Sequence, residues 1–84
     1  MQYTSRNNTY FIQIGVFTKR KNAQYVAKKA EIYGNVFFSE IMLNNKKASK
    51  VLLGPFNSWK KIKKVQMKQS FIHDFGKNTI IKKF

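Results

Sequence analysis

Catalysis needs groups that converge, and this chain of 84 residues offers few. Its one histidine is His73, with Asp74 next in sequence. Adjacent residues near a helix end do not face each other, so the pair makes no acid–base couple. The three acids, Glu31, Glu40 and Asp74, are scattered and give no carboxylate pair for glycoside cleavage. Without cysteine there is no thiolate nucleophile, no thiolate metal site and no disulfide. No phosphate-cradling glycine motif occurs. These absences predict a protein that is not an enzyme, with no metal and no cofactor. The polar residue that stands out is Gln13, inside the apolar run Tyr10–Phe17 (YFIQIGVF). Core-facing positions of a sheet rarely keep a glutamine, so Gln13 faces solvent or a ligand.

Charge is the other chemical signal. Seventeen Lys and Arg stand against three acids, a net charge of +14. So basic a surface seeks a polyanion: nucleic acid, anionic lipid or an acidic cell-wall polymer. AT-rich codons favour lysine as well, but they do not explain the shortage of glutamate. The longest apolar runs are a few residues, far below the ~20 that span a bilayer. Met1–Thr9 is polar and reads as a flexible lead-in rather than a signal peptide. The chain is expected to be one small domain, at home as part of a larger exported or membrane-anchored protein.

The elements that must position these residues follow from pattern. Tyr10–Phe17 reads as a strand with Tyr10, Ile12 and Ile14 toward a core and Phe11, Gln13 and Gly15 on the other face. Gly15 leaves room for a bulge before Phe17. A helix follows from about Thr18 to Tyr33, with Ala23, Val26, Ala27, Ala30 and Tyr33 as its apolar stripe and Gly34 as its stop. Val36–Leu43 and Ser49–Leu53 read as two strands of a hairpin turning at Asn44–Lys47. Gly54-Pro55-Phe56 ends the second of these, with Phe56 plugging the core. Asn57 or Ser58 caps a second helix to about Ile72, with Trp59, Ile62, Val65, Gln66, Gln69 and Ile72 on one stripe. Thr79–Lys83 is the last strand. The order β-α-β-β-α-β predicts an α+β, ferredoxin-like (RNP-like) fold: a four-stranded antiparallel sheet with two helices on one face.

Two stretches carry a familiar signature. Tyr10-Phe11-Ile12-Gln13-Ile14-Gly15-Val16-Phe17 precedes a helix containing Asn22-Ala23, and Lys50-Val51-Leu52-Leu53-Gly54-Pro55-Phe56 precedes another. Together, over about Tyr10–Phe84, they resemble the SPOR (sporulation-related repeat) domain, whose pattern is roughly aromatic-x-V-Q-x-G-S-F, helix, strand, [RK]-V-x-x-G-P-F, helix, strand. The resemblance implies a non-catalytic module that binds peptidoglycan. Such domains prefer denuded glycan strands, from which an amidase has removed the stem peptides, and guide division or wall-remodelling proteins to the septum. It implies a periplasmic or wall-facing location, and a glycan lying along the open sheet face.

Carried over position by position, Gln13 is the sheet-face glutamine, whose amide can donate to and accept from hydroxyls and N-acetyl groups. Lys50 takes the place of a basic residue, often Arg, and can meet a muramic acid carboxylate without the planar fork of Arg. The chain departs from the family at Val16, where Ser is usual, at Ala48, where an aromatic is frequent, and at Leu52, where a basic or polar residue is frequent. Phe11, on the Gln13 face, can supply apolar contact instead. The expected glycan-binding set is therefore Phe11, Gln13, Val16, Lys50 and Leu52. Trp59 is expected to pack or to lie half-exposed, and Lys60, Lys61, Lys63 and Lys64 to form a solvated helix face. RNA binding on the same sheet face is the weaker alternative, because the third strand lacks the aromatics that stack bases and the Gly-Pro ends it early. A protein-interaction role is the third reading, and a monomer is the default state.

Overall fold

The computed structural model describes residues 9–83. Of the expected lead-in, all but Thr9 lies outside the described residues. The elements are β1 (Tyr10–Phe17), α1 (Arg20–Ala30) with a 3-10 turn at Glu31–Tyr33, β2 (Val36–Leu43), β3 (Lys46–Phe56), α2 (Trp59–Gln66), α3 (Gln69–Phe75) and β4 (Ile80–Lys83). The four strands form one sheet in the order β2-β3-β1-β4, with every neighbouring pair antiparallel. The helices cover one face. The result is a two-layer slab of 35 × 34 × 19 Å, in the α+β class that the element order predicted.

The core lies between these layers. Ile12 and Leu53 from the two central strands meet Ala30, Ile62 and Phe71 from the helices, all fully buried. Val51 meets Ala23 and Ala27 in an adjoining cluster. Burying side chains as large as Phe71, Ile62 or Leu53 contributes roughly 1.5–3 kcal/mol each. The small alanines of α1 let that helix lie close on the sheet.

Two irregularities in the β1–β3 ladder decide which side chains face outward. The register runs Ile12↔Leu53 and Gln13↔Leu52, then jumps to Gly15↔Val51 and Val16↔Lys50. Ile14 is the extra residue of a β-bulge. Alternation is reset across it, so Gly15 turns to the helix side opposite Val51, not to the face of Phe11 and Gln13 as simple alternation predicts. A Cβ on Gly15 would lie 2.9 Å from the Phe17 ring, which packs against the Val51 cluster. At the other end, Tyr10 pairs with Phe56 and Ile12 with Leu53. Gly54 and Pro55, joined by a cis peptide bond, therefore occupy a widened stretch of β3 opposite Phe11. The strand does not end at Leu53; it passes through the Gly-Pro and resumes pairing at Phe56.

The hairpin also turns more tightly than expected. Asn44 (φ 51°) and Asn45 (φ 68°) form a two-residue left-handed turn. Lys46 and Lys47 therefore open β3 rather than belonging to the loop. The first helix is shorter than its stripe, since the chain tightens into the 3-10 turn after Ala30.

The second helix is two helices. Ser58, extended at φ −151°, caps α2 by accepting from the Lys61 N–H at 3.1 Å. Met67 ends α2, and extended Lys68 (φ −65°, ψ 139°) precedes a new start at Gln69. An unbroken helix would have carried Gln69 and Ile72 onto the stripe of Ile62 and Val65. The restart instead brings Phe71 and Phe75, one turn apart, to the core, where the Phe71 ring lies 5.2 Å from Tyr33 and 4.9 Å from Phe75. Gln66 does not belong to an apolar stripe either. It is buried, donates through Nε2 to the Thr79 carbonyl (2.9 Å) and Oγ1 (3.0 Å), and accepts from Lys63 Nζ (3.0 Å). That amide ties α2 to the start of β4.

Candidate functional site

The sheet face opposite the helices presents Phe11, Gln13 and Val16 from β1 and Lys46, Lys50 and Leu52 from β3. All five residues expected at the site share it. Val16 does so because of the Ile14 bulge: opposite Lys50 in the ladder, it takes that residue's face.

Cross-strand pairing arranges the face in rows. Phe37↔Leu52, Leu52↔Gln13 and Gln13↔Ile80 run across all four strands, a width of roughly 14 Å at ~4.8 Å per strand. The next row is Ser39, Lys50 and Val16. Toward the other end Phe11 pairs with Lys82. The rings of Phe11 and Phe37 meet edge to face, 6.1 Å apart at 81°. With Thr9, Ser39, Leu52 and Pro55 they line a shallow groove of about 400 Å³. Leu52 is only 9% exposed and forms the groove's floor rather than a projecting contact.

Gln13 lies in the row between this floor and Ile80, which is 51% exposed. On its far side a second cleft of about 440 Å³ opens between β1 and the Gly76–Thr79 segment. Among the described residues, the Gln13 amide and the Lys50 ammonium have no hydrogen-bonding or ionic partner. The face therefore offers the unclaimed Gln13 amide, the Lys50 ammonium with Lys46 and Lys82 farther along it, a hydroxyl at Ser39 and apolar surface on both flanks. That set suits an extended, hydroxylated chain bearing carboxylates: the amide exchanges hydrogen bonds with hydroxyl and acetamido groups, Lys50 faces a carboxylate, and the rings cover the apolar faces of sugar rings.

Sequence reasoning missed Phe37, Ser39, Ile80 and Lys82, which share the face. In β2 (VFFSEIML) apolar residues occupy both faces, so alternation alone did not sort them. The two-residue Asn44-Asn45 turn was the usable signal, because it sets Phe37 opposite Leu52. Ala48, where the family often has an aromatic, is buried on this face opposite Ile41.

Elsewhere the chemistry is sparse. His73 is exposed, and Asp74 turns to Lys29 at 3.9 Å rather than to His73. Among the described residues no three His, Cys, Asp or Glu side chains cluster to hold a metal. Trp59 is 54% exposed, with its ring edge-on to Tyr10 at 5.8 Å, as the half-exposed reading anticipated. One reason offered against RNA falls, since β3 is not cut short at the Gly-Pro. The other stands: on the open face β3 presents Lys46, Ala48, Lys50 and Leu52, and no aromatic ring.

Comparison with known proteins agrees with this architecture. No curated protein sequence matches the chain significantly. Among solved structures, the crystal structure of the RlpA SPOR domain from Pseudomonas aeruginosa superposes with a TM-score of 0.71 at 22% identity, covering 88% of this chain and 96% of that one. The solution structure of the peptidoglycan binding domain of the B. subtilis cell wall lytic enzyme CwlC superposes with a TM-score of 0.63 at 24% identity, covering 100% of this chain and 99% of that one. At these identities the likeness is one of fold. The SPOR domain family model matches residues 7–70, a span that takes in β1 with Gln13, β3 with Lys50 and the Gly54-Pro55-Phe56 element, and on that match the chain belongs to the SPOR family.

Proposed function

We infer that this SPOR domain is a non-catalytic peptidoglycan-binding module that holds denuded glycan strands across its open sheet face and thereby localises an attached protein to the septum or the wall-facing envelope. The observation that carries the reading is the convergence of Phe11, Gln13, Val16, Lys50 and Leu52 on one face, with the amide of Gln13 unclaimed between two apolar flanks. Preference for denuded strands follows from chemistry. Removing the stem peptide converts an amide of the lactyl group into a free carboxylate, and Lys46, Lys50 and Lys82 are the cations this face can set against it. Each exposed ion pair contributes only ~0–1 kcal/mol, so selectivity for denuded strands rests on several acting together along the polymer. The glycan is bound by one copy of the domain.

The test is co-sedimentation with purified sacculi, untreated and amidase-treated, at low and moderate salt, with wild-type protein and Gln13→Ala. The expected outcome is stronger pelleting with amidase-treated sacculi. The variant should keep its fold by circular dichroism and bind about tenfold more weakly, as loss of hydrogen bonds worth ~1–1.5 kcal/mol implies. Equal, weak pelleting of both sacculi, abolished by salt and unchanged in the variant, would overturn the reading.

A further inference from the structure

The positive charge is not concentrated where the glycan is proposed to bind. The open sheet face carries Lys46, Lys50 and Lys82. The outward side of the helical layer, on the opposite broad face of the slab, carries many more cations. On α2 the core side is Ile62, Val65 and Gln66, so Lys60, Lys64 and Met67, spaced by four and three, point directly away from the sheet. Lys61 and Lys68 flank them, and all five are exposed. On α1 the core side is Ala23, Ala27 and Ala30, which turns Lys21, Lys28 and Tyr25 outward.

Large apolar side chains stand exposed among these cations: Met67 is 67% exposed, Tyr25 67% and Ile32 75%. Trp59, 54% exposed, lies at the border of this face, three residues before Ile62, with its ring edge against Tyr10. Lys63 lies 5.7 Å from the Trp59 ring and Lys29 5.5 Å from that of Tyr25. In this layer the acids are Glu31 and Asp74, and Asp74 is taken up by Lys29. A helical face that mixes lysines with protruding Tyr, Met and Ile matches the requirements of an anionic bilayer surface, where lysines meet phosphate headgroups and the apolar side chains enter the headgroup boundary. Among the described residues no helix is long and apolar enough to cross a membrane; the contact argued for is adsorption at the surface.

We propose that the outward face of α1 and α2 is a second binding surface, which docks on anionic phospholipid headgroups while the opposite sheet face is free to hold glycan. The inference is independent of the glycan reading, since it uses different residues on a different face.

Trp59 is the only tryptophan and borders this face, so its emission responds to a surface that covers it. The experiment titrates the protein with vesicles of phosphatidylcholine containing phosphatidylglycerol, and with vesicles of phosphatidylcholine alone, following Trp59 fluorescence and co-sedimentation. Expected are a blue shift and pelleting with anionic vesicles only. Binding should fall at least about tenfold in the Lys60→Gln/Lys64→Gln variant, and weaken steeply with salt. Both substituted residues are exposed and outside the core, so the variant should keep the wild-type circular dichroism and melting transition. Gln13→Ala should bind vesicles as wild type does, which separates this surface from the sheet. No shift with anionic vesicles, a shift unaffected by the lysine substitutions, or retention on polyphosphate or nucleic acid without any vesicle binding would each overturn the proposal.

Discussion

Gly54 shows how much one residue can decide. Its φ of +148° is a conformation that L side chains rarely adopt, and a Cβ there would lie 2.9 Å from both the Tyr10 carbonyl oxygen and the Phe11 ring. Backbone cannot yield as a flexible side chain can. Gly54→Ala should therefore cost about 2–4 kcal/mol from strain and overlap together, measured as a lowered urea midpoint. It should also disturb the Phe11 side of the groove, because the Phe11 ring is what the new methyl meets. An unchanged midpoint would show that the ladder has room to relax there. The need for glycine at this point was legible in the sequence as a bend. That the ladder resumes at Phe56 was not, because whether a strand survives a Gly-Pro depends on the partner strand, here β1. Gln13 was legible for the opposite reason: a glutamine among β-branched and aromatic residues is conspicuous whatever its neighbours. Val16 was assigned through the family pattern, and its face depends on the bulge at Ile14, which the composition around Gly15 suggested without fixing the extra residue.

At the scale of elements, order and type were readable and boundaries were less so. Strands β1 and β2 match the apolar runs, while β3 extends beyond its expected range at both ends. The division of the second helix was hidden, since nothing at Met67-Lys68 resembles a glycine or proline stop. The physical cause is tertiary: Phe71 and Phe75 reach the core only if the helix restarts. The stripe that placed Gln66 beside Ile62 and Val65 had its geometry right, and left open what a glutamine does there. That side chain fills a buried position by hydrogen bonding, not by hydrophobicity. Gln66→Ala should leave the Thr79 carbonyl without its amide donor and lower stability by about 1–3 kcal/mol, read from the thermal or urea transition. A loss of a few tenths would mean that water or a neighbouring donor replaces the amide.

At the scale of the whole molecule, the slab has two broad faces with different characters. One is apolar and hydrogen-bonding with a few cations; the other is strongly cationic with projecting apolar residues. The sequence showed the sum of the charge but not its partition, because assigning a lysine to a face requires the helix break, the bulge and the hairpin register. The sheet itself is not uniform. β1 and β3 lie at its centre, whereas β4 is four residues at an edge, held by its ladder to β1 and by the Gln66 amide just before it. Short peripheral elements open locally at a lower free energy than the global transition. Amide hydrogens of Ile80–Lys83 should thus exchange well ahead of those of Ile12 and Leu53, and faster still in Gln66→Ala; protection equal to the central strands would mean that β4 opens only with the whole domain. Opening of this kind would remove one bank of the cleft beside Gln13 while the groove between Phe11 and Phe37 kept its shape. A polymer threading the face would then meet a fixed bank on one side of Gln13 and a yielding one on the other, and could enter sideways without having to find an end.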